Sequence, residues 1–387
     1  MGMTDLLARY AARRVHVLIV EVPGDWVLRA AVERCVAARG WCAAISPADA
    51  DVLAVCGFSG PELAEVVDRI WDQLPGPRAR IDITDEQSID SVLDRAAAEL
   101  LDSGRQRDDG RDRAQSPDPT GDQQGQDHGD MDHHGMDHSA HHGMDHHGHH
   151  DMDYGGMQMA PAGIALAEGG EDRDGLEMDV LHVRLGPVLS HWPAGLVLRC
   201  SLQGDVLSEV EAWIVDTDHE GRPQAPPENT ELVVAARQCD PFVDLLELVG
   251  WWRASAIARQ ARDLLLDGSD VDRAQQLLEK LHGELRRSRM LRWSLRDLAP
   301  LSAENLDRYQ LPAALAGDAY DRLLARVGLA RTNLREPSTN SAFRPDLIKF
   351  IDVLPSLVQG LDVATARLVV ASLGIDTGAR DERSPHG

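Results

Sequence analysis

The residues best suited to chemistry in this 387-residue chain are crowded into one block, DHGDMDHHGMDHSAHHGMDHHGHHDMDYGGMQM, which repeats an Asp-His or Met-Asp-His unit. Its ten histidines are His128, His133, His134, His138, His141, His142, His146, His147, His149 and His150, and Met131, Met136 and Met144 lie among them. Neutral imidazole suits copper, nickel and zinc, thioether sulfur adds a preference for Cu(I), and carboxylates can complete a shell. So many overlapping ligand sets are expected to bind copper, nickel or zinc in variable amounts without requiring a fold. The plainer alternative is a solvated low-complexity tether whose metal affinity is incidental. Tethers are ordinarily built from Gly, Ser, Pro and charged residues, so histidine with methionine is an odd choice for one.

Elsewhere the reactive inventory is thin. Five cysteines, Cys35, Cys42, Cys56, Cys200 and Cys239, are scattered with no CxxC or adjacent pair. Neither a disulfide framework nor a zinc or iron–sulfur motif is legible, and most are expected to be buried free thiols. A GxGxxG dinucleotide fingerprint is also missing, which leaves NADH binding without residue-level support. The formal charge of -25 opposes nucleic-acid binding, because phosphate recognition needs a basic surface. No apolar run is long enough to span a bilayer, and MGMTDLLARYAARR is too polar for a signal peptide. A cytoplasmic protein without a transmembrane segment is expected, with association to a membrane through a complex as a further option.

The elements that must position these residues fall into three stretches. From Arg14, RRVHVLIVEV reads as a buried strand, Val27 to Arg39 as an amphipathic helix, ADADVLAVCG as a second strand, PELAEVVDRIWDQL as a helix and RARIDI as a third strand. A helix from Ser88 to Leu101 closes this unit, an α/β domain with a parallel sheet over 1–102. Residues 103–162 carry too few apolar side chains to offset chain entropy and are expected to be a disordered linker. The last stretch, 163–387, opens with alternating strands around HVRLGPVLSHWPAGLVLRCSLQGDVLSEVEAWIVD. From Pro241 helices take over, including one expected from Ala254 to Leu266, one from Asp272 to Leu298 and one from Val363 to Leu373. This predicts an α+β domain: a small antiparallel sheet with a helix bundle.

Particular segments resemble a known family. ADVLAVCGFSGPELAEVVDRIWDQLPGPRARIDI, with Trp71-Asp72-Gln73-Leu74-Pro75-Gly76-Pro77 at its helix exit, resembles the B subunit of NADH-quinone oxidoreductase, a relative of the [NiFe] hydrogenase small subunit. LGPVLSHWPAGLVLRCSLQGDVL, DVDRAQQLLEKLHGELRRSRMLRWSLRDLA and FRPDLIKFIDVLPSLVQGLDVATARLVVASLGIDTG resemble three parts of the D subunit, the counterpart of the hydrogenase large subunit. The stretch between is shorter than in that family, as if a central part were deleted.

The departures from the family shape the functional expectation. The B subunit holds a [4Fe–4S] cluster on four cysteines, two of them adjacent after the first strand, whereas that loop here reads Pro23-Gly24-Asp25-Trp26. Neither CxxC motif of a [NiFe] centre is present. The D subunit sets a turn histidine against the quinone headgroup; here Ala194 precedes the glycine and only His191 is near. His191 is read as a packing residue beside Trp192 and Pro193, with a quinone-site remnant as the alternative. The resemblance implies a non-catalytic accessory, scaffold or assembly protein with a partner in a hydrogenase or complex I-like assembly. Its alternative is a cofactor-less subunit of such an electron-transfer complex.

Overall fold

A computed structural model describes residues 14–115, 168–171, 177–217, 231–335 and 347–378. The His/Met/Asp-rich block, with its histidines and Met131, Met136 and Met144, lies outside the described residues.

The N-terminal part is a parallel four-stranded sheet with helices on both faces. Its strands are β1 (His16–Glu21), β2 (Cys42–Ala43), β3 (Val52–Cys56) and β4 (Ala79–Ile83), in the order β2-β1-β3-β4. Side chains alternate across this sheet. Val17, Val52, Ala54 and Ile81 meet α1 (Trp26–Ala38) and α3 (Ile89–Leu101), while Leu18, Val20, Leu53 and Val55 meet α2 (Pro61–Gln73). Each fully buried Leu, Ile or Val stabilises by about 1.5–3 kcal/mol, so the two-sided core accounts for the near-continuous apolar strands.

One helix was not foreseen. Residues Ser103–Gln115 form α4, where sequence reasoning placed the start of a disordered linker. Its order rests on polar contacts that no hydrophobic pattern reveals. Buried Arg78 stacks on the Trp71 ring at 4.0 Å and donates to Asp109 at 2.9 and 3.2 Å. Gln106 accepts from the Arg78 amide at 2.9 Å and donates to the Arg78 and Glu99 carbonyls.

The C-terminal part begins with an antiparallel sheet of β5 (Glu168–Glu171), β6 (Glu177–Leu185), β7 (Leu196–Gln203) and β8 (Val206–Ile214), in sequence order. Its helices are α5 (Glu231–Leu248), α6 (Trp252–Asp267), α7 (Val271–Arg287), α8 (Arg289–Leu295), α9 (Ala303–Tyr309), α10 (Ala319–Arg335), α11 (Leu347–Val358) and α12 (Val363–Leu373). Helix α5 starts ten residues before the expected Pro241, which sits inside it. The burial of Ala235, Ala236 and Cys239 ahead of the proline, and of Phe242, Leu245 and Leu246 after it, holds the helix through the lost ladder bond. The single helix expected from Asp272 to Leu298 breaks at Ser288. That residue takes an extended conformation and its hydroxyl caps α8 by accepting from the Leu291 amide at 3.2 Å.

The two parts interpenetrate. Trp26, at the start of α1, is buried in the core formed by α5, α6, α7 and α10, and Val197 and Val215 join the core beneath α2. Asp216 reaches across the boundary to accept from the Glu62 and Leu63 amides, both at 3.0 Å, capping α2 from the other domain. Gly60 makes this approach possible, since a β-carbon there would lie 2.3 Å from the Asp216 carboxyl carbon. Among the described residues no helix is long and apolar enough to cross a membrane.

Candidate functional site: the interdomain cleft

The first strand ends in Glu21, and α1 carries Arg29 and Glu33 one turn apart on the face turned to the C-terminal helices. Helix α5 brings Arg237, Asp240 and Asp244 at helical spacing, and α6 brings Arg259, Arg262 and Asp263. These side chains meet at the domain boundary. Arg29 donates to Glu21 at 2.5 Å and also pairs with Glu33 and Asp240. Arg262, whose side chain is fully buried, donates to Asp240 and to Glu33, both at 2.8 Å, and through Nε to Asp263 at 3.0 Å. Arg237 lies over the Trp26 ring at 4.9 Å and pairs with Asp376 at 2.5 Å.

Burial sets these groups against one another. It works to raise Asp240, yet Arg29, Arg262 and Arg237 together hold that carboxyl far below its ordinary value. Glu33 is likewise lowered, burial being outweighed by Arg29 and Arg262. Glu21 goes the other way: burial pushes it up to about 7, and Arg29 and Arg237 offset this only in part. Desolvation also raises Asp244 and Asp263. The cluster therefore holds Asp240 and Glu33 committed to their charge beside Glu21, which accepts a proton near neutrality.

A cavity of about 180 Å³ opens onto this cluster. Its polar side is formed by Glu21, Arg29, Arg237, Asp240 and Asp244, and its apolar walls by Leu18, Val20, Ala44, Ile45 and residues 187–194. It lies near the carboxyl ends of β1 and β2, on the side of an α/β sheet where ligand crevices generally form. His191 lines it. The residue has a left-handed backbone, with φ of 58°, and its Nδ1 lies 3.1 Å from Asp244 Oδ1. The sequence reading of His191 as a packing residue misses this carboxylate, which arrives from α5, 53 residues away. Trp192 does pack, buried with its indole N–H donating to the Leu196 carbonyl at 2.8 Å.

The loop after β1, Pro23-Gly24-Asp25-Trp26, is filled by packing contacts. Trp26 closes it from below, a β-carbon on Gly57 would strike Asp25, and a β-carbon on Gly378 would lie 2.7 Å from Gly24 Cα. The cysteines sit apart. Cys56, Cys200 and Cys239 are buried in three different cores, Cys35 is half-buried and Cys42 exposed. Burial raises the Cys56 and Cys239 thiols far above their ordinary value and Cys200 to about 11, keeping them protonated and inert. Among the described residues no group of three or more His, Cys, Asp or Glu side chains is arranged to hold a metal ion.

The buried ion cluster was missed by sequence reasoning, although RQCDPFVD and RQARD each carry arginine and aspartate on one helical face. No protein-family model matches the chain, and no curated protein matches it.

Proposed function

We propose that this chain is a non-catalytic accessory protein, a scaffold or assembly factor related to the B and D subunits of NADH-quinone oxidoreductase and their [NiFe] hydrogenase counterparts, with a metal-handling segment between its two domains. The observation that carries this reading is the replacement after β1. Where the resembled family has cysteine ligands, Trp26 is buried in the neighbouring helical core and Asp25 meets Gly57. Together with the shared ion cluster, this makes the two domains one interlocked body, suited to docking as a unit on a hydrogenase or complex I-like partner.

Metal handling is assigned to His128–His150 with Met131, Met136 and Met144. Coordination needs neutral imidazole, so affinity should fall as pH drops through about 6.5. Replacing all ten histidines by serine should abolish copper and nickel binding in calorimetric titrations while leaving thermal unfolding unchanged. Undiminished binding in that variant would move the metal to His16, His182, His191, His219 or His282 and overturn the assignment.

One observation favours a second reading, a cofactor-less subunit that retains a quinone-headgroup cavity: the His191–Asp244 pair at the cavity wall. On this reading a short-chain ubiquinone binds the wild type, and Asp244→Asn or His191→Ala weakens it by about tenfold, the loss of one hydrogen-bonding partner. Equal binding by all three proteins would dismiss it.

A further inference from the structure

The end of the helical bundle carries a surface feature separate from the cleft. Five of the eleven residues 286–296, RRSRMLRWSLR, are arginine and none is acidic, in a chain of net charge -25. Arg286, Arg287, Arg289 and Arg292 are exposed and form no ion pair among the described residues; Arg296 pairs with Asp297 at 2.9 Å. Between them stand Met290 and Trp293, 80% and 81% exposed and three residues apart on α8, hence on one face.

This face is held rigidly from behind. Leu291 and Leu295 are buried in the bundle core, Ser288 caps the helix, and the Tyr320 hydroxyl donates to the Leu285 carbonyl at 3.2 Å. Fold stability does not explain it. Arg286 and Arg287 suit the C-terminal end of α7, but Arg289 places a cation in the first turn of α8, the wrong sign for a helix dipole, and exposed Trp293 and Met290 contribute little to the core. The arrangement is a fixed turn with two apolar tips ringed by four uncompensated cations.

We propose that this face, Arg286 to Trp293, docks the protein on an anionic lipid bilayer. Charge complementarity is the leading argument. Basic side chains are drawn to anionic headgroups within about one Debye length, ~8 Å at physiological ionic strength, so the patch acts locally while more distant acidic surface is screened. The apolar tips supply the second argument. An indole sits favourably at headgroup depth, a methionine beside it reaches the acyl boundary, and arginine stems keep their guanidinium groups among the phosphates. The surface is independent of the proposed function above and of the cavity.

The test is co-sedimentation of the full chain with vesicles of phosphatidylcholine containing about a third phosphatidylglycerol, at pH 8 and with a chelator, so that linker imidazoles are neutral and unmetallated. Binding is expected at low salt, lost at 0.5 M salt as screening shortens, and absent on pure phosphatidylcholine. The fourfold variant R286S/R287S/R289S/R292S should bind about a hundredfold more weakly or worse, and Trp293→Ser about tenfold more weakly. All the substituted residues are exposed, and unchanged circular dichroism verifies the fold. Wild type that stays in the supernatant, binds neutral vesicles equally, or keeps its affinity in the fourfold variant would overturn the proposal. So would capture by polyglutamate or DNA with no vesicle binding, which would reassign the patch to an acidic macromolecule.

Discussion

Asp240→Ala should cost about 3–5 kcal/mol of stability, because it leaves buried guanidinium groups without their shared counter-ion. Asp240 joins Arg29 on α1, Arg262 on α6 and Arg237 on its own helix, and the Arg262 side chain has no solvent exposure with which to recover the loss. Denaturant midpoints of wild type and variant measure it. The comparison substitution is Asp94→Ala. Asp94 pairs with Arg39 but is 70% exposed, and surface pairs of this kind contribute about 0–1 kcal/mol. Equal losses in the two variants would mean that the interdomain cluster does not hold the domains together.

Stability should fall as pH rises from about 4.5 to about 7, and Glu21 is the principal cause. Its folded value lies above its ordinary value of 4.5, so the folded protein binds the proton more tightly than the unfolded chain does. That contribution is complete below about 4.5 and is lost as pH climbs through about 7. Asp244 and Asp263, also raised, act in the same direction. Asp240 and Glu33, both lowered, act in the opposite sense: their contribution is present above their ordinary values and is lost as pH falls toward their folded ones. Glu21→Gln mimics the protonated form. It should flatten the upper limb, gaining of the order of 3 kcal/mol at pH 8, since each tenfold difference in proton affinity between folded and unfolded chains is worth roughly 1.4 kcal/mol, and leave the acid limb intact. An unchanged slope between pH 4.5 and 7 in the variant would remove Glu21 from the account.

Much of the fold was legible because its signals are local. HVLIVE and VLAVC are apolar runs bounded by turn residues, and both are strands of a parallel sheet. Leu63, Val67 and Ile70 mark the buried face of α2, and Val363–Leu373 is a helix over the residues expected. What escaped is ordered by partners distant in sequence. Helix α4 has almost no apolar side chain and is fixed by Arg78 and Trp71, neither of which periodicity can associate with it. Strand β2 is two residues long, too short to show alternation. The candidate site escaped for the same reason. His191 and Asp244 are ordinary residues until a turn and a helix bring them together, and Glu21, Glu33, Asp240 and Arg262 become a cluster only when two domains close on one another.

The proposal that the folded domains hold no iron–sulfur cluster and that metal resides on the histidine-rich segment is checked by elemental analysis and visible absorption of protein purified without oxygen. A colourless protein with no acid-labile sulfide is expected, whose copper, nickel or zinc disappears when the histidines from His128 to His150 are replaced by serine. A brown protein carrying about four irons per chain, the content of a [4Fe–4S] cluster, would contradict it.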